Sequence, residues 1–236
     1  MYHSSSDYYD IVYQFKNYEQ ESMKIHEYIQ SRKPETRTIL DVACGTGKHM
    51  SFLNRYYQVD GIDLNERFID SAKRRNPASQ CWVADMTDFN LNKKYDVIMC
   101  LFSSIGFVKT LDKVKQTTQQ FVNHLSDNGF IIIEPWFTPE QWIPGYISVI
   151  QQEADGYKVV RMSHADIDGT ISILHEEYLI GSKDGILHFK ERHELGLFAH
   201  EDLKRIFQEL GLIVEYDSKG ISGRGTFFLS KKRAIV

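Results

Sequence analysis

Acidic residues end two consecutive strand-like segments, and a glycine-rich turn follows the first of them. An apolar run leads into Asp41, and the turn after it carries Ala43, Gly45 and Gly47. A second strand-like run ends at Asp63. Glycines in such a turn let backbone approach a ligand, and an acid about 20 residues further on can accept hydrogen bonds from ribose hydroxyls. The pattern predicts a site for a nucleotide-type cofactor.

The residue that opens this turn indicates which cofactor binds. A dinucleotide site has the pattern G-x-G-x-x-G, in which helix N–H groups face a pyrophosphate. Here Ala43 takes the first glycine position, no glycine stands three residues after Gly47, and Asp41 opens the turn. A carboxylate would repel a pyrophosphate but suits S-adenosylmethionine (SAM), which carries an ammonium and a sulfonium. We therefore expect SAM, and Asp41 disfavours an NAD-dependent dehydrogenase.

Strand-like and helix-like segments alternate along most of the chain, which indicates a parallel sheet. A third strand is followed by an acid, Asp85, and a helix over 199–207 precedes the last two strands. After the first two strands, we expect the others at residues 81–86, 94–101, 130–134, 212–216 and 226–229.

The pattern changes between residues 145 and 198. Hydrophobic alternation and the Asp-Gly pairs at 168–169 and 184–185 predict antiparallel strands and hairpins. We expect an α/β fold with a Rossmann-like seven-stranded sheet, and an antiparallel β insertion between the fifth strand and the helix before the sixth. Residues 1–144 and 199–236 would form the SAM-binding core with an N-terminal helical cap. Residues 145–198 would cover the acceptor site.

Composition excludes several classes of protein. The 236 residues suffice for one core and one embellishment, and the net charge of −4 argues against nonspecific nucleic-acid or anionic-membrane binding. No apolar run approaches membrane-spanning length, and the N-terminus has no signal-peptide pattern. Cys44, Cys81 and Cys100 have no C-x-x-C spacing, which is typical of reduced thiols. We expect a cytoplasmic protein that has neither nucleic acid nor membrane as a partner.

Specific short motifs are spread over nearly the whole chain. Besides the turn at 41–47, they include F-S-S-I-G at 102–106, E-P-W at 134–136 and S-G-R-G at 222–225. The turn resembles the first motif of class I SAM-dependent methyltransferases. The other motifs are similar to those of the N,N-dimethyltransferases of macrolide pathways (the desosamine and mycaminose type). Members of that family dimethylate the 3-amino group of a dTDP-linked deoxysugar.

The resemblance implies a set of cofactor contacts. In the family, the acid after the third strand accepts a hydrogen bond from the adenine amino group, and the next residue packs on the ring. These positions correspond to Asp85 and Met86, although an isolated acid there is more often a turn residue. The expected cofactor-binding residues are Tyr18, Asp41, Ala43, Gly45, Gly47, Asp63, Leu64, Asp85, Met86 and Leu101.

Methyl transfer from SAM is an in-line displacement by a neutral amine, so positioning can supply most of the acceleration. Tyr13 takes the family-like position near the reacting amine, where a phenol can orient the amine or relay a proton. Core packing is the alternative for this ring. His164 and His193, on insertion strands, could contact substrate or accept a proton, although a lone histidine is more often structural. These three residues are the expected catalytic set.

Other residues are candidates for binding the acceptor. The Arg224 guanidinium, flanked by glycines, suits a diphosphate, and a surface arginine is the alternative. Ser104, Phe107 and Trp136 follow the fourth and fifth strands, where they would line the acceptor pocket; Phe107 could equally fill the core. The histidines show neither H-x-x-x-H nor H-E-x-x-H, so we expect no metal site.

The sequence thus predicts a SAM-dependent N-methyltransferase of a small amine, best matched by the amino group of a dTDP-linked amino deoxysugar. A methyltransferase for another small metabolite (an amino acid, a peptide amine or a hydroxyl) is the alternative within enzymes. A non-catalytic SAM-binding regulatory module would need the same cofactor residues, but Tyr13 and Arg224 favour catalysis. The insertion could also mediate a homodimer.

Overall fold

The computed structural model describes residues 4–231. The ends of the predicted core domain, residues 1–3 and 232–236, lie outside the described residues. The helices are α1 (Tyr9–Val12), α2 (Tyr18–Arg32), α3 (Lys48–Leu53), α4 (Glu66–Arg75), α5 (Leu111–His124) and α6 (His200–Glu209), with 3₁₀ turns at Ser5–Tyr8 and Ser104–Val108. The strands are β1 (Thr38–Val42), β2 (Gln58–Asp63), β3 (Cys81–Val83), β4 (Tyr95–Cys100), β5 (Leu125–Ile133), β6 (Ile147–Ala154), β7 (Tyr157–Asp168), β8 (Ile171–Ser182), β9 (Gly185–Gly196), β10 (Leu212–Asp217) and β11 (Thr226–Lys231).

Seven strands form one sheet in the order β10-β11-β5-β4-β1-β2-β3. Strand β1 pairs in parallel with both β2 and β4, and β11 runs antiparallel to β5 and β10. The strand order therefore reverses at β1, and ligands bind beyond the carboxyl ends of the strands at such a point. The predicted seven-stranded α/β sheet is confirmed. Within residues 4–231, no helix is both long and apolar enough to span a bilayer.

The central strands are apolar on both faces, as parallel strands covered by helices must be. In β1, Leu40 and Val42 pack in a core that includes Phe121 of α5. Ile39 points to the opposite face and packs in the core that contains Ile25 of α2. Burial on both faces fixes the sheet between two helical layers, so the polar residues at the strand ends lie at the sheet edge.

Strands β6 to β9 form a second, antiparallel sheet in sequential order. Its strands span Ile147–Gly196, between β5 and α6, so the predicted insertion is confirmed. Asp155 and Gly156 join β6 to β7, and both have positive φ, which suits a two-residue hairpin turn. One face of this sheet packs on the N-terminal segment, where Ile11 and Val12 meet Val159. The second sheet and the N-terminal cap (residues 5–12) thereby form one packed unit.

Candidate active site

A cleft lies at the carboxyl ends of β1, β2 and β3; we call it the strand-edge cleft. Of the predicted cofactor residues, all except Gly47 line it. The lining also includes Tyr9 of the N-terminal cap and Phe102 after β4. The N-terminal cap therefore closes one side of the cleft that the sequence predicted at this edge.

The turn after β1 uses left-handed backbone at three positions. Gly45 has a φ of +54°, and a Cβ there would meet no atom within 4 Å, so the chain is open to a ligand at this point. Gly47 has a φ of +74°, and its Cβ would lie 2.6 Å from Asn76 Nδ2. Gly47 thus serves the packing of the turn on α4 rather than lining the cleft. Ala43 adopts a φ of +58°, a conformation that glycine reaches more easily.

Asp63 holds the backbone around the cleft. Its Oδ2 accepts a hydrogen bond from the Gly45 N–H at 2.9 Å, and its Oδ1 accepts one from the Asn65 N–H at 2.8 Å. Burial raises the pKa of Asp63, although these backbone hydrogen bonds oppose the shift. The backbone donors of Gly45, Asn65 and Leu64 do not use all the lone pairs of the carboxylate, so Asp63 can still accept a ribose hydroxyl.

Asp41 is a buried acid at the end of β1, with 2% of its surface exposed. Burial, and then the charge of Asp63, raise the Asp41 pKa well above its usual value. Among residues 4–231, no basic side chain lies within ion-pair distance of Asp41. An unpaired buried carboxylate is costly, and a cationic ligand would remove that cost. The donor set therefore fits the ammonium of SAM.

Asp85 has a structural role as well as a place in the cleft. Its Oδ1 accepts hydrogen bonds from the Thr87 N–H and hydroxyl, both at 2.8 Å. The side chain is exposed and lines the cleft beside Met86. Asp85 can therefore stabilise the turn and contact the cofactor at the same time.

A cavity of about 1240 Å³ adjoins the strand-edge cleft; we call it the inter-sheet cavity. The second sheet, the segment after β5 and the loop before β11 all contribute to it. Of the predicted acceptor and catalytic residues, it is lined by Tyr13, Phe107, Trp136, His193 and Arg224. Phe102 and Phe107 line both the cavity and the cleft, so the two spaces meet at these rings.

The hydroxyl of Tyr13 has a fixed orientation at this boundary. Its oxygen accepts a hydrogen bond from Arg161 Nη1 at 2.8 Å, and its ring lies edge-on to Phe102 with centroids 5.2 Å apart. Because Arg161 donates to the oxygen, the phenolic proton of Tyr13 remains free to point elsewhere. Arg161 in turn lies 3.4 Å from the buried carboxylate of Glu176. Arg161 and Glu176 lie on neighbouring strands, β7 and β8, and only the strand register brings them together, so their contact could not be predicted from the sequence.

His193 lines the cavity and is 3% exposed. Its Nε2 lies 3.4 Å from Glu176 Oε2 and 3.2 Å from Glu191 Oε2. Burial alone would lower the pKa of His193, but the two carboxylates outweigh burial and raise it. A raised pKa favours the imidazolium, so His193 is better suited to donate a hydrogen bond than to accept a proton.

Two predicted residues lie elsewhere. His164 is exposed, whereas its neighbours Arg161, Ser163 and Ala165 line the cavity. Because alternate residues of a strand point to opposite faces, His164 lies on the outer face of the second sheet, and the expectation that it contacts the acceptor was wrong. Ser104 lines the strand-edge cleft and not the inter-sheet cavity, so its expected place among the acceptor residues is also corrected.

Arg224 reaches the cavity from the loop before β11. Its Nη1 donates to Ser103 Oγ at 3.2 Å, and its guanidinium carbon lies 5.2 Å from the Trp136 ring centroid and 5.1 Å from that of Phe137. Burial lowers the pKa of Arg224, although Glu134 opposes this shift. Arg224 forms no ion pair with an acid among residues 4–231, so its charge can attract an anion.

Glu134, the first residue of the E-P-W motif, connects the specific motifs, a role that the sequence alone did not indicate. One oxygen accepts a hydrogen bond from the Phe102 N–H at 2.8 Å, and the other accepts one from the Ser222 hydroxyl at 2.7 Å. Phe102 has a φ of +50°, an unfavourable conformation for a bulky residue. This buried carboxylate therefore fixes both the ring at the boundary and the loop that carries Arg224.

Lys16 brings a second cation to the boundary. Its ammonium lies 3.9 Å from the centroid of the Phe102 ring and pairs with Glu21 at 2.8 Å. Glu21 also pairs with His49 of α3 at 2.8 Å. These contacts tie the segment after α1 to the helix that follows the glycine-rich turn.

One group of side chains has the composition of a metal site. Ligand atoms of Glu176, Glu191 and His193 lie within 4.8 Å of one another. However, Arg161 places a guanidinium beside Glu176, and a second cation at this position would be repelled. The predicted absence of a metal site stays a prediction.

Comparisons with known proteins agree with this geometry. A methyltransferase domain family matches residues 39–129. The chain is 35% identical to the dTDP-3-amino-3,6-dideoxy-alpha-D-glucopyranose N,N-dimethyltransferase of Streptomyces fradiae, over 93% of this chain and 88% of the relative. The chain belongs to the SAM-dependent methyltransferases, in the family of the dTDP-amino-sugar N,N-dimethyltransferases. It is therefore an enzyme, and SAM is its methyl donor.

Solved structures of similar proteins match the methyltransferase over both sheets. The crystal structure of Streptomyces venezuelae DesVI matches with a TM-score of 0.92 and 32% identity, covering 98% of this chain and 99% of DesVI. SAM-bound CalS10 from Micromonospora echinaspora, an amino pentose methyltransferase, matches with a TM-score of 0.84 and 28% identity. It covers 92% of each chain. The second sheet is thus part of the fold that these proteins share.

Proposed function

We propose that this methyltransferase transfers methyl groups from SAM to the amino group of a dTDP-linked amino deoxysugar. The observation that carries the proposal is the junction at Phe102, where the cofactor cleft opens into a cavity lined by Tyr13 and Arg224. Tyr13 presents a phenol for an amine, and Arg224 presents a guanidinium for a diphosphate, with both side chains beside the Phe102 ring.

The size and charge of the cavity support a nucleotide-linked substrate. Its volume of about 1240 Å³ exceeds the roughly 300–1000 Å³ of ordinary small-molecule sites. Arg224 lies among the rings of Phe102, Trp136 and Phe137, so it can hold a diphosphate where apolar walls strengthen the attraction. A free amino acid or a small alcohol would leave most of this space unfilled.

SAM, when bound, supplies a methyl group that its sulfonium already activates. The chain must then orient the acceptor amine and keep it neutral. Tyr13 is suited to the first task, because Arg161 holds its oxygen at 2.8 Å and uses only one of its two lone pairs. The other lone pair can accept an N–H of the amine, which leaves the amine lone pair aimed at the methyl group. The rings of Phe102 and Phe107 border the junction and limit the access of water.

Cationic groups around the cavity favour the neutral form of the amine. Five lysine and arginine side chains line it against two glutamates, and an excess of positive charge near an amine lowers the amine pKa. Phe107 lines the junction with an apolar ring, so no side chain at this position can accept the proton. We propose that the proton leaves to solvent or through Tyr13, with no dedicated histidine base.

The test is a competition between acceptors. The purified protein is incubated with SAM and an equimolar mixture of dTDP-3-amino-3,6-dideoxyglucose, an amino acid, a peptide amine and the 3-hydroxy sugar nucleotide. Mass spectrometry of the products should show one and then two methyl groups on the amino sugar nucleotide alone. Methylation of another acceptor in its place would overturn the assignment of the substrate.

The homodimer and the cytoplasmic location stay predictions. The outer face of the second sheet exposes Val149, Met162 and Leu179, which would suit an interface between copies. Light scattering at several protein concentrations tests the dimer.

A further inference from the structure

Glu176 is a buried carboxylate in the middle of β8, with 4% of its surface exposed. Its Oε1 accepts a hydrogen bond from the Ser163 hydroxyl at 3.2 Å and lies 3.4 Å from Arg161 Nη1. Its Oε2 accepts one from the Tyr178 hydroxyl at 2.7 Å and lies 3.4 Å from His193 Nε2. Donors of the chain itself engage both oxygens, so Glu176 acts on a substrate through its neighbours.

One of those neighbours leads directly to the reacting end of the cavity. The same Arg161 nitrogen, Nη1, faces Glu176 and donates to the Tyr13 oxygen at 2.8 Å. Tyr13 packs edge-on against Phe102, which lines both the cofactor cleft and the cavity. A line of contacts therefore runs from Glu176 through Arg161 to the phenol at the junction.

We infer that Glu176 is a positioning residue for methyl transfer, an inference that rests on the proposed function. The carboxylate holds the Arg161 guanidinium against the Tyr13 oxygen, which leaves the second lone pair of that oxygen to accept an N–H of the acceptor amine. A buried ion pair of this kind costs desolvation energy and is poor evidence of a purely stabilising role. Its value here is orientation, because Glu176 is the only acid among residues 4–231 that forms an ion pair with Arg161.

Glu176→Gln is the direct perturbation. An amide keeps the size of the side chain but removes the negative charge, and its NH₂ group cannot accept the hydrogen bonds that a carboxylate oxygen accepts. Arg161 would then lose its counter-charge and its fixed position against Tyr13. The expected result is a fall in kcat of about 10-fold or more, with SAM affinity unchanged within about 2-fold.

A double-mutant cycle with Tyr13→Phe separates positioning from a general effect on the fold. If Glu176 acts through the Tyr13 hydroxyl, Glu176→Gln should lower kcat by less than about 3-fold once that hydroxyl is absent. Equal losses in both backgrounds would overturn the inference, because they would show that Glu176 acts independently of Tyr13.

Glu177→Gln is the matched control. Glu177 is the next residue on β8 but points to the other face, where it pairs with His188 and Lys190. Its substitution should leave kcat within about 2-fold of wild type. If Glu176→Gln does not fold, as judged by circular dichroism, Glu176→Asp takes its place in the same cycle. It keeps the charge but shortens the reach to Arg161, and the same non-additivity is expected.

Failure of this inference can be told apart from failure of the proposed function. Wild-type turnover of the dTDP-linked amino sugar is measured first, and its absence would contradict the proposed function before any variant is made. Turnover by the wild type together with additive losses in the cycle would contradict the positioning role alone.

Discussion

The carboxylate of Asp63 accepts a hydrogen bond from the backbone N–H of Gly45 across 2.9 Å. This contact joins the end of β2 to the turn after β1. The other oxygen of the same carboxylate accepts the N–H of Asn65, the residue before α4. One side chain therefore fixes two of the backbone segments that line the cofactor cleft.

Asp63→Asn should weaken SAM binding because an amide offers one acceptor oxygen in place of two. A hydrogen bond to a charged group contributes about 1.5–3 kcal/mol, so the SAM dissociation constant should rise by about 10-fold or more. Isothermal calorimetry measures it directly. Asp70→Asn, at an exposed position on α4, is the control and should change the constant by less than about 2-fold. An unchanged constant for Asp63→Asn would exclude the role given to Asp63.

Arg224→Ala should raise the KM for the dTDP-linked amino sugar without weakening SAM binding. Loss of a charge-assisted contact to the diphosphate predicts an increase of about 10-fold or more. The same amino sugar without its nucleotide diphosphate should be turned over equally by wild type and variant. Arg205→Ala, on α6 and paired with Asp202, is the control. Equal KM values for the nucleotide substrate in wild type and Arg224→Ala would contradict the diphosphate contact.

Ala43→Gly should stabilise the protein. The left-handed conformation costs a non-glycine residue about 1–2 kcal/mol, which the substitution removes. The greater conformational freedom of glycine in the unfolded chain opposes this stabilisation by about 0.5–1 kcal/mol. The free energy of unfolding in urea should therefore rise by about 0.5–1 kcal/mol. Gly45→Ala imposes the same conflict at a φ of +54° and should lower it. A lower unfolding free energy for Ala43→Gly, or a higher one for Gly45→Ala, would show that the φ angle does not determine the stability of this turn.

Glu191 should make stability depend on acid pH. Burial would raise its pKa, but hydrogen bonds from His193 and Ser5 lower it from 4.5 to about 2. A lowered pKa in the folded state contributes stability that is present above pH 4.5 and is lost as the pH falls toward 2. The unfolding free energy of wild type should thus exceed that of Glu191→Gln near neutral pH.

Urea titrations of both proteins from about pH 6 to about pH 3 measure this difference. The difference in unfolding free energy between wild type and Glu191→Gln should narrow below pH 4.5, while the difference for Asp70→Asn, at an exposed position, stays small throughout. A gap that is constant across this range would rule out the ionisation of Glu191 as its source. His193, whose pKa is raised, contributes with the opposite sign, since its stabilisation is lost as the pH rises through that value.

Sequence patterns predicted the sheet and the cofactor residues because local rules govern both. Apolar runs such as residues 38–40 had to be strands buried on both faces, and a glycine-rich turn after them had to reach the sheet edge. Asp41 and Asp63 follow their strands directly, so their place in the cleft needs no long-range information. The resemblance to known methyltransferases supplied the roles of Asp85 and Arg224, which spacing alone left open.

The network around Glu176 could not be predicted in this way. Its members come from β7, β8, β9 and the residue that follows α1, and only the register of the antiparallel strands aligns Arg161 with Tyr178. His164 and His193 could not be assigned to a face of the second sheet from the sequence either. Recognising a strand did not reveal which of its faces met the cavity, so His193 was placed correctly and His164 was not. Ser104 was displaced because Phe102 and Ser103 both take left-handed backbone and redirect the chain after β4.

The destination of the methyl group tests the account most directly. SAM labelled with ¹³C in its methyl group is incubated with the enzyme and dTDP-3-amino-3,6-dideoxyglucose, and a long-range ¹³C–¹H correlation spectrum of the product is recorded. The account predicts two labelled methyl groups, both correlated with the proton on the carbon that bears the amino group. Label on a hydroxyl oxygen, or no label on the sugar while SAM still binds, would contradict it.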